Sequence, residues 1–322
     1  MLITSRFARA FLTAALMTAA SMTWGQDYPS RPIRMITASP GGAVDLIARL
    51  TSTRLAALWG QQVIVENRGG SGVIAGDLLA KAPPDGYTLL CYGSGIWLVP
   101  FMRDTTPFDP LRDFAPITLA SSSPNALTVH PSLPVKSVKD LIALAKAKPG
   151  QINNASIGIG TSSHLAAELF KYMAGINIVN VAYRGNAEAL SAMISGEVHM
   201  IFGTVTSVLP YTKTGRLRVL AVTSAQPTPL APGVPTVTAS GLPGYEAAST
   251  LVFFAPAKTP APLINRLNQE IVRILNQADV KDKMFSAGIQ IVASTPDELA
   301  VAMKADMARL GKVIKDAKIR DQ

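Results

Sequence analysis

Residues 33–45 read IRMITASPGGAVD, and the run LIARLTSTRLAAL follows at 46–58. Pro40 fixes its own φ and pushes Ser39 out of the helical region. Gly41 and Gly42 remove Cβ atoms where the chain has to turn. Leu46 and Leu50 then recur at helical spacing. The stretch therefore predicts a strand that turns sharply into a helix. The first amides of such a helix have no internal acceptor and sit at its positive end. A carboxylate can be held there by backbone alone. A tight turn without a ligand accounts for the same residues equally well.

The same grammar returns at residues 151–175, QINNASI followed by GIGTSSHLAAELFKYMAG. Leu165, Leu169 and Met173 lie four apart and predict a helix with a core stripe, with Glu168 and Lys171 off it. Thr161, Ser162 and Ser163 crowd its start, and one of them has to cap it. The others, with the glycine amides, form a cluster of neutral donors. His164 falls in the first turn, either packed or beside a ligand.

Outward from these turns, strands alternate with helices. Strands are expected at residues 87–92, 114–119, 126–129, 179–183, 198–202, 217–223 and 251–255. Helices are expected at 137–148, 187–194 and 262–277. A last helix opens on Thr295-Pro296-Asp297-Glu298, a capping box with Pro in the first turn. Residues 226–244, dense in Pro and Gly, read as a long irregular crossover. Alternation of this kind predicts an α/β protein with parallel sheets covered on both faces. Ligands of such sheets gather at the carboxyl ends of strands. Four of those ends carry Gly, Ser or Thr: residues 39–43, 93–95, 156–163 and 203–204.

Composition bounds the function. The 322 residues predict two domains. A 48% hydrophobic and 16% charged composition excludes a disordered chain. The single Cys91 excludes a disulfide framework and multi-cysteine metal sites, and His130, His164 and His199 are too dispersed for zinc spacing. Neither a metal nor another cofactor is expected. Residues 1–25 read as a secretory signal peptide: Arg6 and Arg9 precede the apolar run AFLTAALMTAA, with small residues near a cleavage point. The mature chain would start near Gln26. The formal charge is +9, or +7 without the two leader arginines. The basic residues are dispersed without interleaved aromatics, which argues against nucleic acid and fits a binder of small anions.

No catalytic constellation stands out. The loops are not of the GxxxxGK[ST], GxGxxG or GxSxG type, and HExxH is absent. Asp45 and Glu66 read as single acids without a partner. Cys91 reads as inert core.

The chain resembles the Bug family of periplasmic solute receptors, the TctC-like receptors of tripartite tricarboxylate transporters. The resemblance runs from Tyr28 to the C-terminus. It is carried by the order and spacing of YPSRPI (28–33), PGGAVDLIAR (40–49), GQQVIVENRGGSG (60–72), PPDGYTLL (83–90), SIGIGTSSHLAAELF (156–170), VAYRGNAEAL (181–190), GRLRVLAVTS (215–224) and FFAPAKTPAP (253–262). It implies a two-lobed type II periplasmic-binding fold with the ligand cleft between the lobes. Lobe 1 would comprise 26–125 and 251–322, and lobe 2 would comprise 126–250. It also implies a small organic carboxylate as ligand, a tripartite membrane permease as partner, a monomer, a periplasmic location and no enzymatic activity.

Carried over by position, the first carboxylate loop is Ser39, Gly41, Gly42 and Ala43. The facing loop is Ser156, Gly160, Thr161 and Ser162, with His164 beside it. Tyr183, Gly185, Asn186 and Thr204 complete the wall. Gly203 stands where many relatives carry Asp, which disfavours an amino-acid ligand. Trp97 and Phe101 are either core aromatics or an apolar wall that favours an apolar carboxylate. Two other functions fit a cleft of this type: a sensor subunit signalling to a membrane kinase, and an enzyme, which would need an acid–base pair within reach of the ligand.

Overall fold

A computed structural model describes residues 28–38, 40–68, 72–156, 158 and 161–320. The expected signal peptide, Ser39 and Gly160 lie outside the described residues.

The first half of the sheet grows from β1 (Ile33–Thr37), which pairs in parallel with β2 (Val63–Asn67) and β3 (Thr88–Gly93). Helix α1 (Ala43–Trp59) leads from β1 to β2, and α2 (Val73–Ala80) from β2 to β3. Short turns α3 (Val99–Met102) and α4 (Pro110–Asp113) then precede β4 (Phe114–Val129). Helix α5 (Val138–Ala147), capped by Ser137, leads to β5 (Asn153–Ser156), α6 (Ser162–Ala174), β6 (Val179–Ala182), α7 (Asn186–Ser195), β7 (Met200–Thr204), α8 (Val205–Lys213) and β8 (Arg218–Val222). The chain returns through β9 (Ala248–Pro256) and ends in α9 (Ala261–Leu275), α10 (Ala278–Ser286), β10 (Gln290–Ile291) and α11 (Pro296–Asp316).

Strand order is β2-β1-β3-β9-β4-β7-β5-β6, with β8 and β10 also on β4. Both faces are covered, as a mixed α/β sheet requires. Ile33 and Met35 pack with Ile47, Leu267 and Ile271 on one side. Ile36 packs on the other, in the cluster that holds Leu299, Met303 and Leu310. Helix α11 opens with both bonds of the expected capping box and a Pro in its first turn.

Residues 114–119 and 126–129, read above as two strands, are one strand of 16 residues. Ser121-Ser122-Ser123-Pro124 looks like a break in sequence. In the fold it is where the pairing partner changes. β4 pairs with β9 from Phe114 to Pro124, then with β7 from Asn125 to Val129. A Pro at the last rung of one ladder leaves few sheet bonds to lose. The stretch 226–244 is the irregular connection from β8 to β9. It folds back on β8 through a bridge between Val222 and Thr236, and buries Val237 and Leu242. Helices α8 and α10 carry too few apolar positions for their periodicity to be visible, since only Val205 and Val208, and Val280 and Met284, are buried.

Candidate functional site

The register of β4 places the strand ends. β3 is antiparallel to β9, which is antiparallel to β4, so β3 runs with β4. Its last residue, Gly93, lies opposite Leu251, which lies opposite Ser121. β7 runs against β4 and ends at Thr204, opposite Asn125. The carboxyl edges of the two parallel groups therefore face one another across four residues of β4, about 13 Å at ~3.3 Å per residue. This is the crevice in which open α/β sheets bind ligands.

On the first edge, the turn after β1 enters α1 with Gly42 as N-cap and no side-chain cap. Gly41 has φ +82°, the left-handed region that a side chain resists. Its N–H donates to Asp45 Oδ2 at 3.1 Å. Asp45 is buried and also accepts from Arg49 Nε at 3.0 Å and Asn67 Nδ2 at 2.8 Å. The Arg49 guanidinium is the chief reason its carboxyl drops to about 2, and the bonds from Asn67 and Gly41 lower it further. The reading of Asp45 as partnerless is thus corrected: it is the internal brace of the loop. Glu66 is likewise paired, with Arg34 and Arg68, and the bond from Arg34 leads in lowering its carboxyl. Neither acid is free to act as a base.

On the second edge, Thr161 is the residue that caps α6. Its hydroxyl accepts from His164 N at 3.3 Å and donates to Gly158 O at 2.8 Å. Ser156 ends β5, buried, and its carbonyl accepts from Tyr183 N at 2.8 Å. His164 is buried, and burial pushes its imidazole below the usual value, so the ring is neutral at pH 7. Glu168, expected off the core stripe, is buried with its carboxylate bound by Lys171 at 2.7 Å and Asn180 at 2.6 Å. A paired charge can be buried where a lone one cannot.

The remaining wall residues divide. Gly185 and Thr204 are the N-caps of α7 and α8, both without a side-chain cap, so with α1 three helices open on these edges with first-turn amides not capped by the N-cap side chain. Asn186 opens α7. The Tyr183 hydroxyl donates to Glu197 Oε1 at 3.1 Å, so this group is engaged away from the loop amides. Gly203 is required by packing, because a Cβ there would lie 2.7 Å from Val208 Cγ1. Trp97 is core: it is 2% exposed, stacks edge-on with Phe254 and donates to Asp306 Oδ2 at 2.9 Å. Phe101 packs beside Gly311. Cys91 is fully buried, and burial raises its thiol.

Among the described residues, cavities lie against these edges. One of about 780 Å³ lies along the first loop, lined by Gly41, Gly42, Ala43, Leu46, Arg49 and Lys283 among others. A smaller one of about 80 Å³ joins Gly93, Ser94 and Gly95 to Ser162, Leu165 and residues 247–249. It brings the end of β3, the start of α6 and the start of β9 together. Sequence reasoning did not single out Ser249 or Asp306 as lining residues, since they come from a crossing strand and the last helix. Among the described residues no cluster of His, Cys, Asp or Glu could hold a metal, and no helix is long and apolar enough to cross a membrane.

Comparison with known proteins identifies a family and related folds. Residues 47–319 match the tripartite tricarboxylate transporter family receptor. A UPF0065 protein from the tcbD-tcbE intergenic region of a Pseudomonas species is 38% identical over 307 residues, 94% of this chain and 91% of that one. An R. palustris protein solved with adipate is 35% identical with a TM-score of 0.72, covering 91% of this chain and 99% of its own. MatC from Rhodopseudomonas palustris, with bound malate, is 26% identical with a TM-score of 0.70, covering 89% and 100%.

Proposed function

The chain belongs to the tripartite tricarboxylate transporter receptor family, and from that premise we propose that it captures a small organic carboxylate in the periplasm and delivers it to a membrane permease of the tripartite type. The observation that carries this reading is the pair of facing carboxyl edges with uncapped helix starts at Gly42, Gly185 and Thr204. Partial positive charge and first-turn N–H groups lie along these edges, where an anion can be held. Relatives solved with adipate and malate support a carboxylate as the ligand class.

In this reading Gly41, Gly42 and Ala43 grip the carboxylate from lobe 1, and Thr161, Ser162, Gly185, Asn186 and Thr204 grip it from lobe 2. Ser39, Ser156 and Gly160 complete the two loops. His164 and Tyr183 support the walls rather than touch the anion, one being buried and the other bound to Glu197. The lobes are 26–125 with 251–322, and 126–250, joined where β4 changes partner and where β9 begins beside it. Such a two-strand junction permits hinge closure over the ligand. Contacts from both lobes are then realised only in the closed form.

A thermal-shift screen of the secreted protein against mono-, di- and tricarboxylates, aromatic acids and amino acids tests the reading. A ligand at about 100 times its Kd adds roughly 2.7 kcal/mol to stability and raises Tm. No shift with any acid, in protein freed of co-purified ligand, overturns it.

A further inference from the structure

Helix α11 buries its apolar stripe, Leu299, Met303, Met307, Leu310 and Ile314, in the main core. Beside that stripe, between α11 and the short turns α3 and α4, runs a groove of about 590 Å³. Its floor is Phe101 from α3, Leu111 from α4 and Gly311 from α11. Gly311 lets the Phe101 ring lie against the helix, because a Cβ there would come within 2.6 Å of it. Leu111 is 49% exposed. Among the described residues, none from the turns at 40–43 or 156–163 lines this groove, so it is separate from the carboxylate site.

The rim of the groove is basic. Lys304, Lys312 and Lys315 line it, with Asp316 as the one acid among the described residues. Asp316 is already bound to Lys312 at 2.8 Å. Lys315 stands over the Phe101 ring, 5.3 Å from its centroid. Lys304 has no ion pair among the described residues. The residues three and four positions from it on the helix are Ala300, Val301, Met307 and Ala308, none of which carries a charge. The helix dipole favours cations in the last turn, which accounts for Lys315 but not for Lys304 in mid-helix. Lys312 and Lys315, three apart, repel one another on the same side of the helix. Lys312 Nζ also lies 5.7 Å from the ring of Tyr172 on α6. The rim therefore touches the helix whose start stands at the second carboxyl edge.

We propose that this groove docks an acidic amphipathic segment of the membrane partner, with an apolar side chain seated on Phe101 and Leu111 and carboxylates paired to Lys304 and Lys315. The naming of the partner rests on the receptor reading above; the groove and its chemistry do not. Charge complementarity selects an acidic occupant, because an added basic group would meet three lysines and one neutralised acid. The recessed apolar floor selects a peptide segment over a lipid surface. A helix that lies on a bilayer turns its apolar face outward, and α11 turns its own into the core. An apolar anchor laid in a groove, with charges at the rim, is a recurrent mode of peptide recognition.

The test is fluorescence anisotropy with a labelled peptide in which Leu and Phe are flanked by Glu, and with its Gln-for-Glu counterpart. The wild type is compared with the double variant Lys304→Glu, Lys315→Glu, with Leu111→Ser, and with Lys281→Glu as a control on exposed α10. The Glu peptide is expected to bind the wild type and Lys281→Glu alike, and more weakly as salt is added. The double variant is expected to lose about tenfold or more in affinity, and Leu111→Ser about threefold or more. Circular dichroism melts of all variants should match the wild type, since the substituted side chains are exposed. No binding of the Glu peptide overturns the proposal. So does equal binding of the Gln peptide, or a double variant that binds as Lys281→Glu does. Co-sedimentation with phosphatidylglycerol vesicles but not phosphatidylcholine vesicles, lost in the double variant, would make a membrane surface the occupant and also overturn it. Peptide binding at these lysines in a protein that responds to no carboxylate supports the groove and refutes the receptor reading, so the two fail separately.

Discussion

Asp45→Asn tests whether one carboxylate braces the first loop. In the wild type Asp45 receives Gly41 N–H, Arg49 and Asn67, and its carboxyl lies at about 2 instead of 3.8. That difference converts to roughly 2.4 kcal/mol at about 1.36 kcal/mol per pH unit. The Arg49 side chain is 53% exposed, and water screens its contribution. A loss of roughly 1–2 kcal/mol is therefore expected on substitution. The sign follows from the lowered value. The stabilisation is complete above the unfolded carboxyl's value near 3.8, and is lost as pH falls towards about 2. Urea unfolding at about pH 7 should show a lower midpoint for Asp45→Asn with an unchanged slope. Near pH 3 the gap between the two proteins should shrink by about half. A gap that does not change with pH, or one below about 0.5 kcal/mol at neutrality, would refute the brace.

Other substitutions separate folding from binding. Gly42→Phe should fold, since nothing lies within 4 Å of a Cβ there and its φ of −89° suits any residue, yet lose carboxylate binding in a titration. Thr161→Val should cost about 1 kcal/mol in thermal unfolding, because its hydroxyl caps α6 and is held by Gly158. Gly311→Ala should lose about 1–3 kcal/mol, because the new Cβ would lie 2.6 Å from the Phe101 ring, and far-UV circular dichroism with a melt checks it. Trp97→Phe should lose about 1–3 kcal/mol by leaving Asp306 Oδ2 without its donor, measured by urea unfolding.

Local chemistry made much of this protein legible in its residues. Pro40-Gly41-Gly42 and Gly158 to Ser163 signal strand-to-helix turns because Pro, Gly and hydroxyl side chains act on their own backbone. Thr295 to Glu298 signals a capped helix for the same reason, and both bonds of that cap form. The alternation of elements was enough for the α/β class, and the order of short motifs was enough for the family.

Long-range pairing decided the rest. Whether Ser121 to Pro124 is a loop or the middle of one strand depends on β9 and β7 lying alongside it, and no local propensity records that. The partners of Asp45 and Glu66 come from β1, β2 and the same helix face, where the sheet register sets the approach. Glu168 looked like a solvent-facing acid until Asn180, on the neighbouring strand, allowed its burial. Sequence determined what each turn could do through its own backbone. Tertiary structure determined which turns face each other, because hydrogen-bond register between distant strands is a property of the assembled sheet.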